Sequence, residues 1–374
     1  VLQGIRVLEF GNLIAAPYAA MLLADLGADV IKVEPPQGDL ARSFGPFRNG
    51  ESVFFLAVNR GKRSVVVDTR TEEGRRTALR LCATADVLVH NLRPGAMERR
   101  GLSYADVARM NPGVVYVAIS AFGPDGPYAH RTGIDVVFQG ESGMMSITGE
   151  PGSPPGKTAT TIGDYVAGTN AALLACAALV SRSTTGEGAK IDVILRDGLV
   201  AVQSGWNALA AHLGTQPEKT GTASPFLAPN QVFPTADGWM TIGVVADAHF
   251  RRLCEAIDLP ELAERYPTNE LRMRHREQLA ELLSRRLREH PTEHWLEKIS
   301  PTGVPVGRVL TLPQVWEDPQ VVHNRLVFDY LHPVAGPVKG IGAPWRIGDR
   351  STTSRLPPPG LGAHTSEVLD QLDR

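Results

Sequence analysis

The sequence predicts an α/β fold in which a large domain carries a parallel sheet and a smaller α+β domain follows it. Three observations point there. Short β-branched runs alternate with helical patterns through residues 5–120. A Gly/Pro/Thr-rich stretch at 148–161 breaks the alternation and leads into an Ala-rich helix. Beyond residue 249 the chain becomes mostly helical and charge-rich. Repeated strand–helix units of this length favour parallel strands with helices packed on the sheet faces.

Taken in order, residues 5–10 read as a buried strand, 17–25 as a helix closed by Gly27, and 28–34 (ADVIKVE) as a second strand. The runs at 64–68, 86–90 and 114–120 continue the strand series, with helical periodicity at 72–84 and 104–110 between them. After the break come an Ala-rich helix to about residue 182, a turn at 186–188, a strand at 190–194 and a helix at 197–212. Residues 231–250 suggest paired strands around an ADG turn at 236–238. The expected division is a large domain at 1–200, a linker at 201–224 and a small domain at 225–320.

The 374 residues, 43% hydrophobic and 21% charged, suffice for about two domains. A net charge of −2 supplies no global field for nucleic acid or an anionic membrane, so neither is expected as a partner. Any anionic ligand must be held by a local cluster of basic residues. Cys82, Cys176 and Cys254 lie far apart without CxxC spacing, which argues against a disulfide framework and a zinc site. A reducing, cytoplasmic compartment is the expectation. No metal is expected, since the ten histidines show no ligand spacing. The N-terminal VLQGIRVLEF has no signal-peptide core. The longest apolar stretch, at 165–180, falls short of a membrane span of ~20 residues.

A strand–helix opening invites a dinucleotide-binding reading, but the first strand is followed by GNLIAAPYAA. One glycine stands where GxGxxG needs three to bring backbone against a pyrophosphate. GxxxxGK[ST], HExxH and GxSxG are absent too, which removes the usual anchors of P-loop, zinc-protease and α/β-hydrolase chemistry.

Asp164, in TTIGDYVAGTN, stands at the start of the Ala-rich helix. Asp is a favoured N-cap, and a helix N-terminus also favours the ionised carboxylate that a nucleophile requires, so the two readings are compatible. Gly163 and Gly168 beside it leave open backbone that a bulky thioester could use. Asp135, between Ile134 and Val136, reads equally as a second functional carboxylate and as a buried structural one. Lys32, Arg42, Arg60, Lys62, Arg63 and Arg93 gather in the first hundred positions. Several follow strands, where open α/β sheets bind ligands, and Asn91 has a similar placement.

Segments along nearly the whole chain resemble the class III (CaiB/BaiF-like) CoA-transferases. They include LQGIRVLEF, APYAAMLLADLGADVIKVEPPQGD, NRGKRSVVVD, ADVLVHNLRPGAMERRGL, FGPDGP, TGIDVVFQGESGMMSITG and IGDYVAG, with GVPVGRV and DPQVVHNRLV nearer the C-terminus. The resemblance implies that Asp164 forms a covalent aspartyl intermediate, with Asp135 as possible support. It implies a Rossmann-like large domain completed by residues 325–374 and an interlocked homodimer. It also implies an acyl-CoA and a carboxylic acid as substrates, with no tightly bound cofactor. Lys32, Asn91 and Arg93 then become CoA-binding residues. A position often basic in relatives is Pro35 here, which shifts the nucleotide phosphates towards Arg42, Arg60 or Lys62.

The same family contains 2-methylacyl-CoA racemases, which need acid/base partners on opposite faces of the substrate. Their His before the Asp of a GHD motif corresponds to Ile134, which exchanges no proton, so transfer is favoured over isomerisation. PTNELRMRHREQL, DPQVVHNRLVFDYLHP and PPPGLGAHTSEVL resemble the transferases that use succinyl-CoA and dicarboxylic acids.

Overall fold

The computed structural model describes residues 1–373. The chain divides into two units, one formed by 1–144, 158–214 and 319–374, the other by 145–157 and 215–318. Residues 201–214, read above as linker, belong to the first unit, and 145–157 belong to the second.

The first unit is built on six parallel strands: β1 (Arg6–Phe10), β2 (Asp29–Glu34), β3 (Lys62–Val66), β4 (Val87–His90), β5 (Val115–Ser120) and β6 (Ala189–Ile194). Their order is β3-β2-β1-β4-β5-β6, the doubly wound arrangement. The order reverses between β1 and β4, and the chain leaving those two strands opens a crevice at their carboxyl ends. β3 begins two residues before the expected strand, at Lys62 paired with Val30, because a lysine in a buried strand runs against the usual surface reading of that residue.

Helices α1 (Ala15–Asp25), α2 (Glu72–Ala83), α3 (Tyr104–Met110) and α4 (Asp135–Glu141) follow the strands. Local chemistry explains their starts. Thr71 accepts from Gly74 N ahead of α2, and Ser103 with Asp106 forms a capping box for α3. The long helix α5 (Ile162–Thr185) packs along α1 through Ala167, Ala171 and Ala175. Gly168 permits that approach, since a Cβ there would stand 2.7 Å from Ala15 O. By length and composition α5 is sufficient to cross a membrane, longer than the apolar run implied, because Ile162–Gly163 and the polar 181–185 extend it. Here it lies against α1 and the sheet.

The helix expected at 197–212 is two, α6 (Leu195–Val202) and α7 (Ser204–Leu213). They part at Gln203, whose amide donates to Leu199 O at 2.8 Å and to Ser142 O at 3.2 Å. The second unit contains an antiparallel sheet of β7 (Asn230–Pro234), β8 (Trp239–Gly243) and β9 (Val306–Arg308). Its helices include α8 (Asp247–Ala256), α9 (Arg276–Leu287) and α10 (Thr292–Ile299). Phe233, Met240, Phe250, Leu283 and Trp295 meet in its core.

Candidate active site

Asp164 occupies the third position of α5 and is not its N-cap, which is Thr161. The capping interaction comes from another helix. Asp135, the first residue of α4 and 6% exposed, accepts from Gly163 N through Oδ1 at 2.8 Å. Its Oδ2 accepts from Gln139 Nε2 at 2.6 Å. Gln139 is wholly buried, and its carbonyl accepts from Thr158 N at 2.9 Å, tying the segment before α5 to α4. Asp135 therefore satisfies one of the orphan amides of the α5 first turn, which frees the Asp164 side chain from that task. Among the described residues no hydrogen bond is made to the Asp164 carboxylate.

The glycines flanking Asp164 do not leave open space. A Cβ on Gly163 would meet Asp135 Oδ1 at 3.1 Å and Leu199 Cδ1 at 3.3 Å, and Gly168 faces α1. They are small so that α4, α6 and α1 can close around the helix. Tyr165 packs edge-on against Tyr18 at 4.8 Å between ring centroids.

Burial, and secondarily the charge of Asp135, raises the Asp164 carboxyl from 3.8 to about 7. This overrides the helix N-terminus, which alone favours ionisation. A carboxylate poised near neutrality is more basic, and a better nucleophile, than an ordinary one. The shift also has a stability consequence. With the folded-state value raised, the native state holds more protons than the unfolded chain between about pH 4 and 7, so this contribution is present in acid and lost as pH rises through 7. Asp164→Asn is therefore expected to melt a few degrees above wild type at pH 8 and together with it at pH 4. That corresponds to about 1–2 kcal/mol, because the side chain is partly exposed and solvent screens it. Calorimetry at the two pH values checks this, and a lower melting temperature at pH 8 contradicts it.

The basic residues have other occupations than the sequence suggested. Lys32 and Lys62 are wholly buried and share Glu9, at 2.5 Å and 2.8 Å. Lys32 also pairs with Asp39 at 2.7 Å, and Lys62 donates to Asn59 Oδ1 and Pro17 O, both at 2.7 Å. Arg60 pairs with buried Asp25. Arg42 grips Glu34 with Nε and Nη2 at 2.7 and 2.8 Å and stacks on Phe55. These pairings argue against the expected contact of Lys32, Arg60 and Lys62 with CoA, because ammonium and guanidinium groups enclosed with buried carboxylates present little charge to a ligand in water. Arg42 is likewise committed to Glu34. Arg93 is exposed on the loop after β4, while Asn91, half-buried, bonds the backbone of Asn12.

A cavity of about 450 Å³ lies at the carboxyl ends of β1, β2, β3 and β4, lined by Gly11, Asn12, Pro35, Gly38, Arg70 and Arg100 among others. Sequence reasoning missed Arg70 and Arg100. Arg70 was detectable, since it stands two residues past the expected strand at 64–68. Arg100 sits in the ERR segment and bonds Thr69 Oγ1 at 3.1 Å and Ala96 O at 2.6 Å.

The doubly wound sheet with a cavity at its switch point, and the half-buried Asp164 carboxylate near the start of α5, are the features of an α/β fold that compose the candidate site. The chain belongs to CoA-transferase family III, whose pattern it matches over residues 2–365. It is 38% identical to the mouse (Mus musculus) succinyl-CoA:glutarate CoA-transferase, over all of this chain and 86% of that protein. It is 36% identical to the succinate–glutarate CoA-transferase of Agrobacterium fabrum, over all of this chain and 96% of that one. The crystal structure of a CAIB/BAIF family protein from Brucella suis superposes with a TM-score of 0.91 at 35% identity, covering 100% of this chain and 99% of that one.

Proposed function

We propose that the protein exchanges CoA between succinyl-CoA and a second short dicarboxylic acid through an aspartyl-CoA thioester on Asp164. The observation that carries the reading is the carboxylate at the third position of α5, relieved of capping by Asp135 and raised towards neutrality. The dicarboxylate preference is supported by the mouse and A. fabrum relatives.

In this reading an Asp164 oxygen attacks the thioester carbonyl, the C–S bond breaks, and CoA leaves as thiolate while the donor acyl group stays on Asp164 as a mixed anhydride. The thiolate then attacks the Asp164 carboxyl carbon and releases the donor acid, leaving the aspartyl-CoA thioester. The acceptor carboxylate opens that thioester, and the returning thiolate takes the acceptor acyl group, which restores Asp164. One thioester replaces another of similar energy, so no ATP is consumed. Dividing the exchange into nucleophilic steps is covalent catalysis, and its oxyanions call for backbone donors from glycine-containing loops.

The cavity at the switch point suits the CoA nucleotide, with Arg70 and Arg100 in its lining and Arg93 exposed on the loop after β4. Ile134, at the N-cap of α4, places no proton-exchanging side chain where a racemase needs one. A homodimer fits the apolar residues left exposed on α5, α6 and α7, among them Leu173, Val180, Val202 and Leu213.

An acceptor panel tests the substrate class. With succinyl-CoA as donor, glutarate and other short dicarboxylates are expected to give new acyl-CoA at rates at least about tenfold above monocarboxylates of equal length, as a lost charged contact implies. Activity confined to monocarboxylates would sink the assignment.

A further inference from the structure

The loop between β1 and α1 is gripped at three consecutive residues by side chains from elsewhere in the first unit. Lys32, on β2, donates from Nζ to Gly11 O at 3.1 Å. Asn91, directly after β4, accepts from Asn12 N at 2.9 Å and donates to Asn12 O at 2.8 Å. Asp39, beyond β2, accepts from Leu13 N at 3.0 Å through Oδ1. Lys32 and Asp39 are buried and paired with each other at 2.7 Å, so the grip is anchored in the interior.

The gripped backbone is strained. Leu13 lies in the left-handed region at φ 64°, where its Cβ crowds the following carbonyl oxygen. Such a conformation persists only where surrounding structure over-determines it, and here four hydrogen bonds with three side chains do so. The same loop carries Gly11 and Asn12 into the wall of the switch-point cavity. Where dinucleotide-binding folds use glycines to shape this turn, this chain uses a leucine held by a buried clamp.

We infer that Lys32, Asp39 and Asn91 are positioning residues that preset the backbone of residues 11–13, and with it the part of the acyl-CoA cavity wall made by Gly11 and Asn12, acting on the ligand through that backbone and not by touching it. The inference rests on the transferase reading. A preset loop spares the ligand the ordering penalty that a free loop would impose on binding. It also explains why Lys32, one of the basic residues picked out by position, lies beneath the site without facing it.

The test uses CoA binding by titration calorimetry and steady-state kinetics with succinyl-CoA, on wild type, Asn91→Ala, Leu13→Gly and the double variant. Asn91→Ala is expected to weaken CoA about tenfold, ~1.4 kcal/mol, and to raise KM more than it lowers kcat. Adding Leu13→Gly to Asn91→Ala is expected to recover a large part of that loss, because glycine takes the left-handed turn without strain and no longer needs the clamp. Lys32→Met probes the buried end, and Asn91→Ala, half-buried, keeps the test available where Lys32→Met does not fold. Wild-type affinity in Asn91→Ala overturns the inference. So does a loss that Leu13→Gly fails to relieve, since it makes Asn91 a direct ligand contact. A wild type that binds no CoA at all removes the transferase reading itself and this inference with it.

Discussion

Asp164→Ala is expected to abolish turnover, by at least about 10⁴-fold, as removal of a covalent nucleophile does. Intact-protein mass spectrometry after incubation with succinyl-CoA should show an adduct in wild type that maps to Asp164 and is missing from the variant. No nearby carboxylate can substitute. Asp135 has both oxygens engaged, by Gly163 N and by Gln139 Nε2. The variant should fold normally, because the Asp164 carboxylate accepts no hydrogen bond among the described residues, so truncation orphans no donor. An adduct that survives in Asp164→Ala would place the nucleophile elsewhere. The absence of any adduct in wild type, with CoA still bound, would turn the reading towards isomerisation or silent binding.

Asp135→Asn should lower the rate by about 10–100-fold and move the acid limb of kcat/KM to lower pH. In wild type that limb is expected near 7, where Asp164 loses its proton. Removing the Asp135 charge withdraws the smaller of the two causes of the raised value, and burial, the larger, remains. The loss in rate has a separate origin. The asparagine oxygen can still accept from Gly163 N, but its amide then meets the Gln139 amide donor to donor. Relief requires Gln139 to turn, which presents its own NH₂ to Thr158 N and gives up that bond. The segment leading into α5 loosens, and a nucleophile displaced by a fraction of an ångström loses near-attack geometry. A pH–rate profile that falls in height without moving along the pH axis would show that Asp135 acts by position alone.

Much of the sheet was legible in the sequence because buried parallel strands announce themselves as β-branched runs, as in DVIKVE and VLVH. Helix starts with their own caps, such as Ser103 before α3, were legible for the same local reason. β3 was displaced because Lys62 and Arg63 open it, and no rule of periodicity places two cations in a buried strand. The break between α6 and α7 escaped notice because the side-chain bonds of Gln203 that mark it include one to Ser142, 61 residues away.

What the sequence determined alone is most of the parallel strands and the helices between them, the absence of a glycine fingerprint after β1, and Asp164 as the carboxylate at the head of an Ala-rich helix. Those properties are local, written in spacing and residue type over a few turns of chain. Tertiary structure decided what the charged side chains do. It enclosed Lys32 and Lys62 around Glu9, set Arg60 on Asp25, and turned Arg70 and Arg100 into cavity lining. It also made Asp135 the cap of a helix 28 residues downstream and thereby released Asp164. The reason is that the role of a charge depends on its solvation and on which opposite charge or amide stands within about 3 Å, and both are fixed only when strands distant in sequence come together.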